Sequence, residues 1–383
     1  MSIPTRILFG AGELQNLHRQ PLPGRKALLV ISNGLSARRN GSLAATEEEL
    51  RLAGIEVILF DRIEANPLKA TVMAGAACVR EQGCDIVVAL GGGSVMDAAK
   101  AIALISTNEG DLWDYVFGGT GRERIPKNSP LPVVTITTTA GTGSEADPWG
   151  AITNPVTKEK IGIEVTFPVL SVVDPNLMLT VPPLLTAYQG FDAFFHSVEC
   201  YISKFANVVS DAYALMAIEN VACNLVCAVK DGSNLDARTR VAFGNTLSGM
   251  VMCLSSTTSH HSMECAMSGH HQDLPHGAGL IMLSEAYFSF FVNKHVCDDR
   301  FVRMARAMGM EEASQPQDFI TMLMRLQEAC GVIDLKMSDY GITRGELLNL
   351  TFSAFDTMPG LFESDRYQLS INECYSIFQS AYK

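Results

Sequence analysis

The stretch Asp85-Ile86-Val87-Val88-Ala89-Leu90-Gly91-Gly92-Gly93-Ser94-Val95-Met96-Asp97-Ala98-Ala99-Lys100 decides the fold. Its first half is a short continuous apolar run, the pattern of a strand buried on both faces of a parallel sheet. Three glycines and a helix-like segment follow. Glycines let the backbone come close to a diphosphate, and a helix N-terminus offers free N–H groups and a partial positive charge. The turn matches neither GxGxxG nor GxxxxGK[ST], so neither the usual dinucleotide fingerprint nor an ATP-hydrolysing loop is indicated.

On either side of this unit the chain alternates apolar runs with helical stretches. Ala27–Ser32, Ile55–Phe60 and Pro132–Ile136 read as further strands, with helices over Glu47–Ala53 and Thr71–Gln82. That alternation predicts a doubly wound α/β sheet. A second polar turn, Thr137-Thr138-Thr139-Ala140-Gly141-Thr142-Gly143-Ser144-Glu145, follows a strand and suits either a phosphate or ribose cradle or a helix cap. Two such turns on one sheet favour a dinucleotide. From Val181 the pattern changes to long amphipathic stretches, Asp211–Val229, Phe301–Met308, Gln317–Cys330 and Arg344–Phe355. Asp174-Pro175 and Pro182-Pro183 punctuate the change. The expected organisation is an α/β dinucleotide-binding domain over 1–180 and an all-helical domain over 181–383.

The formal net charge is −12, with 29 Lys and Arg against 41 Asp and Glu. Nucleic acid and anionic membrane are poor partners for such a surface. No run of about 18 apolar residues argues for a membrane span, and no signal-peptide pattern opens the chain, so a cytoplasmic location is expected. The ten cysteines are scattered and read as reduced, buried, small hydrophobes. Cys223 and Cys227 share a helix face without completing a zinc site, and core packing is expected for the pair.

The helical half contains His260-His261-Ser262-Met263-Glu264-Cys265-Ala266-Met267-Ser268-Gly269-His270-His271-Gln272-Asp273-Leu274-Pro275-His276-Gly277, with five of the chain's eight histidines. Earlier, Asp192 and His196 stand four apart, on one helix face. Imidazoles and a carboxylate gathered from separate segments are what a divalent metal needs, and this donor set leaves zinc and iron both open. A metal-dependent enzyme is the expectation.

Gly91-Gly92-Gly93-Ser94-x-x-Asp97-x-Ala99-Lys100, Thr138 to Glu145, Gly190-x-Asp192-Ala193-x-x-His196 and Pro275-His276-Gly277 together resemble the iron-containing, or group III, alcohol dehydrogenases. The resemblance spans nearly the whole chain. It implies the dehydroquinate synthase-like architecture, with an N-terminal dinucleotide-binding domain built on a parallel sheet, an all-helical C-terminal metal-binding domain and a cleft between them. It also implies NAD(P)-linked interconversion of an alcohol and a carbonyl compound. Carried over by position, Asp192, His196, His261 and His276 are the metal ligands, with His261 fitting the register better than His260. Gly92, Gly93 and Ser94 take the cofactor diphosphate, Asp97, Thr138, Thr139 and Thr142 close around it, and Asn66 and Lys160 line the same cleft. The cofactors implied are Fe2+, or Zn2+, and NAD or NADP. The partner is a small alcohol or aldehyde, and a homo-oligomer, dimer or larger, is expected.

The chain departs from the family pattern at two positions. Cys265 stands where the family carries the second histidine of H-x-x-x-H, either as a small replacement or as a thiolate near the metal that favours zinc. His270 and His271 are spare imidazoles for the missing role. Ser32 stands where NAD-preferring members place an Asp, with Arg38 and Arg39 close behind, so NADPH use is a hypothesis. A polyol dehydrogenase of the glycerol type and a non-catalytic metal- and nucleotide-binding homologue are the alternatives. A dehydroquinate synthase-like substrate would want basic residues that the metal segment lacks.

Overall fold

The structure, a computed structural model, describes residues 2–383. Six parallel strands form one sheet in the order β1-β8-β5-β4-β2-β3: β1 Arg6–Phe9, β2 Lys26–Ser32, β3 Glu56–Ile63, β4 Ile86–Gly91, β5 Val133–Thr137 and β8 Leu170–Val173. Helices α1 Ser36–Arg39, α2 Ser42–Leu52, α3 Lys69–Gln82 and α4 Gly93–Thr107 connect them. Alternate residues of one strand feed the two faces. Leu28 and Val30 enter the core under α3 and α4, and Ala27, Leu29 and Ile31 the core under α2. This two-faced burial is why the strands read as unbroken apolar runs.

Two features escaped the sequence pattern. The strands β1 and β8 are four residues each, too short to carry a period. A separate antiparallel hairpin, β6 Trp149–Asn154 and β7 Glu159–Glu164, stands off the main sheet and carries Lys160. The second helix also starts earlier than its apolar spacing suggests, at Ser42, because Gly41 takes a left-handed φ of 80° and Asn40 Oδ1 accepts from the Ser42 amide at 3.1 Å.

Beyond Pro183 the chain is helical: α5 Pro183–Ile202, α6 Val208–Lys230, α7 Leu235–Met252, α8 Ser259–His270, α9 His276–Asn293, α10 Asp298–Ala307, α11 Gln317–Ala329, α12 Leu347–Thr357, α13 Pro359–Glu363 and α14 Ile371–Ala381. Among the described residues only α6 is long and apolar enough to cross a membrane by length and composition. Its stripe of Ala214, Ala217, Ile218, Val221, Leu225 and Ala228 is buried inside the protein, as in a core helix. Cys223 and Cys227 are exposed, which corrects the expected core packing. At 100° per residue they fall opposite that inward stripe, and small apolar residues occupy the buried side instead. Six of the ten cysteines are buried as expected, and none is disulfide-bonded.

Close helix contact sets the position of α5. A Cβ at Gly190 would collide with Leu225 Cδ1 of α6. Gly190→Ala is therefore expected to destabilise the helical half by about 1–3 kcal/mol through overpacking. A lowered denaturant midpoint checks this, and an unchanged midpoint would show that Leu225 can move aside.

Candidate active site

A cleft of about 1180 Å³ separates the two halves. All fifteen site residues expected from the sequence line it: Ser32, Asn66, Gly92, Gly93, Ser94, Asp97, Thr138, Thr139, Thr142 and Lys160 from the α/β half, and Asp192, His196, His261, Cys265 and His276 from the helices.

On the α/β side the glycine turn runs from the end of β4 into α4, whose N-terminus no side chain caps. Its amides therefore remain available to an anion. The second turn presses against it. A Cβ on Gly92 would meet Thr139, and one on Gly93 would collide with Thr142 Cγ2, so both turns keep their shape only with glycine here. Asp97 lines the cleft, yet its oxygens accept from Ser144 Oγ at 2.7 Å and the Ala151 amide at 3.0 Å. Its carboxylate thus buttresses the turn behind the cleft wall. Lys100 completes the buttress, fully buried, with its Nζ donating to Ser144 Oγ, to the Asp147 and Trp149 carbonyls and to Asp147 Oδ1.

On the helical side four ligand candidates converge. Asp192 Oδ1 lies 3.6 Å from His196 Nδ1, 3.7 Å from His261 Nε2 and 3.5 Å from His276 Nε2. Asp192 and His196 sit one turn apart on α5, His261 is in the first turn of α8, and His276 opens α9 after Pro275. Gly277 allows that approach, since a Cβ there would strike the Tyr188 carbonyl of α5. Asp192 Oδ1, His196 Nδ1 and His261 Nε2 are buried and have no hydrogen-bond partner. Each such orphan costs on the order of 1–3 kcal/mol; Asp192, His261 and His276 bring ligand atoms within 4.8 Å of one another, with His196 Nδ1 beside Asp192, and that grouping fits a metal ion.

Two carboxylates stand behind the imidazoles. Glu199 Oε1 accepts from His261 Nδ1 at 2.7 Å, and Glu264 Oε2 accepts from His276 Nδ1. Such partners fix the tautomer that leaves the other nitrogen's lone pair free for a metal. Burial alone would suppress the charge on His261, but Glu199 and Asp192 lift it to about 10. Burial pushes His196 down to about 4 despite Asp192. Burial would raise Asp192, yet the facing imidazoles hold it well below the usual carboxylate range.

His260 is ruled out as a ligand. Its ring is fully buried, with Nδ1 on Glu199 Oε1 at 2.7 Å and Nε2 on the Leu280 carbonyl at 3.0 Å. His270 and His271 do not line the cleft, and His271 Nε2 lies 3.2 Å from Glu346, so neither substitutes for the missing histidine. Cys265 does face the cleft, where burial pushes its thiol above the usual range, and it stands with Glu264 and His276 in a group whose ligand atoms lie within 4.8 Å of one another. Arg38 is held by Asp61 at 2.6 Å and, like Arg39, lies outside the cleft lining.

Glu199 and Glu264 were not singled out from the sequence. Glu199 stands seven residues after Asp192, two helical turns along the same face, and that spacing was a usable signal. Glu264 offered none beyond being an acid in an otherwise core-like helix.

A family description, iron-containing alcohol dehydrogenase, matches residues 4–175, and its C-terminal counterpart matches residues 186–382. The chain belongs to the iron-containing alcohol dehydrogenase family. It is 42% identical over 313 residues to a 1,3-propanediol dehydrogenase of Klebsiella pneumoniae, covering 80% of this chain and 78% of that one. A choline dehydrogenase of Bacillus subtilis is 36% identical over 313 residues, covering 81% of this chain and 76% of that one. Among solved structures, the archaeal halo-thermophilic Red Sea brine pool alcohol dehydrogenase ADH/D1, bound to NZQ, superposes with a TM-score of 0.94 at 32% identity, covering 99% and 98% of the two chains. The chain is thus an oxidoreductase, an alcohol dehydrogenase of the iron-containing type.

His276→Ala is expected to weaken metal binding by at least about 10–100-fold, because it removes a donor and leaves Glu264 unpartnered. NADH binding, which rests on the opposite wall, should stay within about threefold. Metal content after dialysis and NADH fluorescence titration check both. Retained metal would remove His276 from the ligand set.

Proposed function

We propose that the enzyme interconverts short primary alcohols, short diols included, and their aldehydes, using ferrous iron held by Asp192, His196, His261 and His276 and either NAD(H) or NADP(H). Residues 1–180 serve as the dinucleotide-binding domain and 181–383 as the metal-binding and catalytic domain. The observation that carries this reading is the convergence of the orphaned Asp192 Oδ1, His196 Nδ1 and His261 Nε2 on a cleft whose opposite wall is the uncapped start of α4. When bound, the ion supplies Lewis-acid polarisation of an oxygen and the dinucleotide supplies or accepts hydride.

The chain's own residues supply orientation and dielectric. Glu199 holds the His261 ring in place, and Cys265, kept protonated by burial, adds a neutral side chain to the cleft wall. Phe205, Met252, Met358 and Leu361 offer an apolar lining for a short carbon chain, with Ser256 and Thr257 among them for a second hydroxyl. The relatedness to a dehydrogenase named for 1,3-propanediol supports the diol. Lys160 is the one lysine or arginine among the lining residues, which disfavours a phosphorylated or polyanionic substrate. One carboxylate and three imidazoles suit ferrous iron, and membership of the iron-containing family supports it. A cytoplasmic homo-oligomer of two or more copies belongs to the same reading, and light scattering measures its size.

Ser32, Asn33, Gly34, Ser36, Asn40 and Ser42 line one end of the cleft, and none carries a charge. No carboxylate among them repels a 2′-phosphate, which supports use of NADPH beside NADH. Protein stripped of metal and reloaded anaerobically with iron(II) is expected to oxidise both cofactors with 3-hydroxypropanal or propanal. No turnover with any short aldehyde would overturn the substrate class. Ser32→Asp should lower kcat/KM for NADPH by at least about tenfold, some 1.4 kcal/mol, and leave NADH near its starting value. An unchanged ratio of the two would place cofactor choice elsewhere.

A further inference from the structure

Glu264 is fully buried on α8 and was not part of the expected site. Its Oε2 accepts from His276 Nδ1 and lies 3.6 Å from Lys160 Nζ, while its Oε1 has no partner. Space for it is built into the neighbouring helix, because a Cβ on Gly279 would sit 2.7 Å from Glu264 Cγ. Lys160 enters from the other half of the molecule on β7. Its Nζ donates to Ser268 Oγ at 3.0 Å and lies 3.2 Å from His276 Nδ1.

This geometry sets up a competition at one nitrogen. An ammonium has only protons to donate. If Lys160 donated to His276 Nδ1, the ring's proton would move to Nε2, the atom 3.5 Å from Asp192 Oδ1, and the lone pair would point away from the site. A carboxylate at the same nitrogen has the opposite effect. It accepts from Nδ1–H, leaves the Nε2 lone pair facing Asp192, and neutralises the ammonium beside it.

We propose that Glu264 is the positioning residue that fixes His276 in its metal-binding tautomer against Lys160. The inference rests on the metal-site reading above and adds to it the group that decides whether the fourth donor is available. It also makes the hairpin of the dinucleotide-binding half a participant in the metal site, since β7 brings the competitor.

The test measures binding of iron(II) alone by anaerobic chelator competition, with no substrate or turnover involved. Glu264→Ala should weaken it by about 10–100-fold. Lys160→Met alone should change it by less than about threefold. The double variant E264A/K160M should recover to within about threefold of K160M, because the competing donor is gone. A merely structural role for Glu264 predicts no such recovery, so an additive double variant overturns the proposal, as does an E264A protein that binds iron like the wild type. Should E264A fail to fold, Glu264→Gln keeps the shape and loses the charge, and the same rescue by K160M is required. Wild-type protein that binds no iron would instead bring down the metal-site reading itself.

Discussion

A carboxylate oxygen buried without a donor is unstable unless something positive is brought to it, and Asp192 Oδ1 is such an oxygen. Three imidazoles from three helices meet it at 3.5 to 3.7 Å. Glu199 on one side and Asp192 on the other raise the proton affinity of His261 between them. Asp192, Glu199 and Glu264 bring three negative charges into the protein interior, and Lys160 returns one, leaving −2. A divalent cation closes that deficit at the point where the unpartnered atoms converge.

The cluster is useful only if it faces the nucleotide turn at a fixed distance, and polar contacts from three segments of the α/β half join it to the helices. Glu145, at the end of the second turn, accepts from Asn245 Nδ2 and Thr246 Oγ1 of α7 at 2.8 Å each. Asn66 Nδ2 reaches the Gln272 carbonyl at 2.8 Å, in the loop that leads to His276. Lys160 reaches Ser268 and the Glu264–His276 pair. Each contact leaves from a turn or hairpin that also lines the cleft, so the junction between the halves and the site are built from the same segments. Polar contacts of this kind must all be made together, since breaking one strands a buried partner.

Much of this was legible beforehand because it rests on periodicity and residue chemistry. Unbroken apolar runs announced β2, β4 and β5, and the histidine segment announced the cluster of imidazoles and carboxylates. The preference for His261 over His260 follows from register, and the structure supplies its cause: the Leu280 carbonyl and Glu199 occupy both nitrogens of His260. What stayed hidden depends on partners distant in sequence. The strand β1 exists only because β8, some 160 residues on, completes its pairing. The exposure of Cys223 and Cys227 depends on which side of α6 meets α5 and α7. The inward turn of Asp97 depends on Ser144 and Ala151, which no local pattern connects to it.

The cleft's charge distribution bears on how such a site tells its ligands apart. Its single lysine is matched by Glu264, and the arginine nearest Ser32 is matched by Asp61. No free cation is left among the lining side chains to attract phosphate, so the diphosphate's affinity must come from backbone N–H groups at the start of α4. Those amides meet the part that NAD and NADP have in common and cannot distinguish them. Discrimination is then left to side chains elsewhere in the cleft, where Ser32, Asn33 and Gly34 carry no charge and Glu64, next to the strand partner of Ser32, is the neighbouring carboxylate. Backbone dipoles that meet only the shared part of the two cofactors make no choice between them. Selectivity in such a cleft is something a sequence must add, and one carboxylate at position 32 is the smallest addition that would do so.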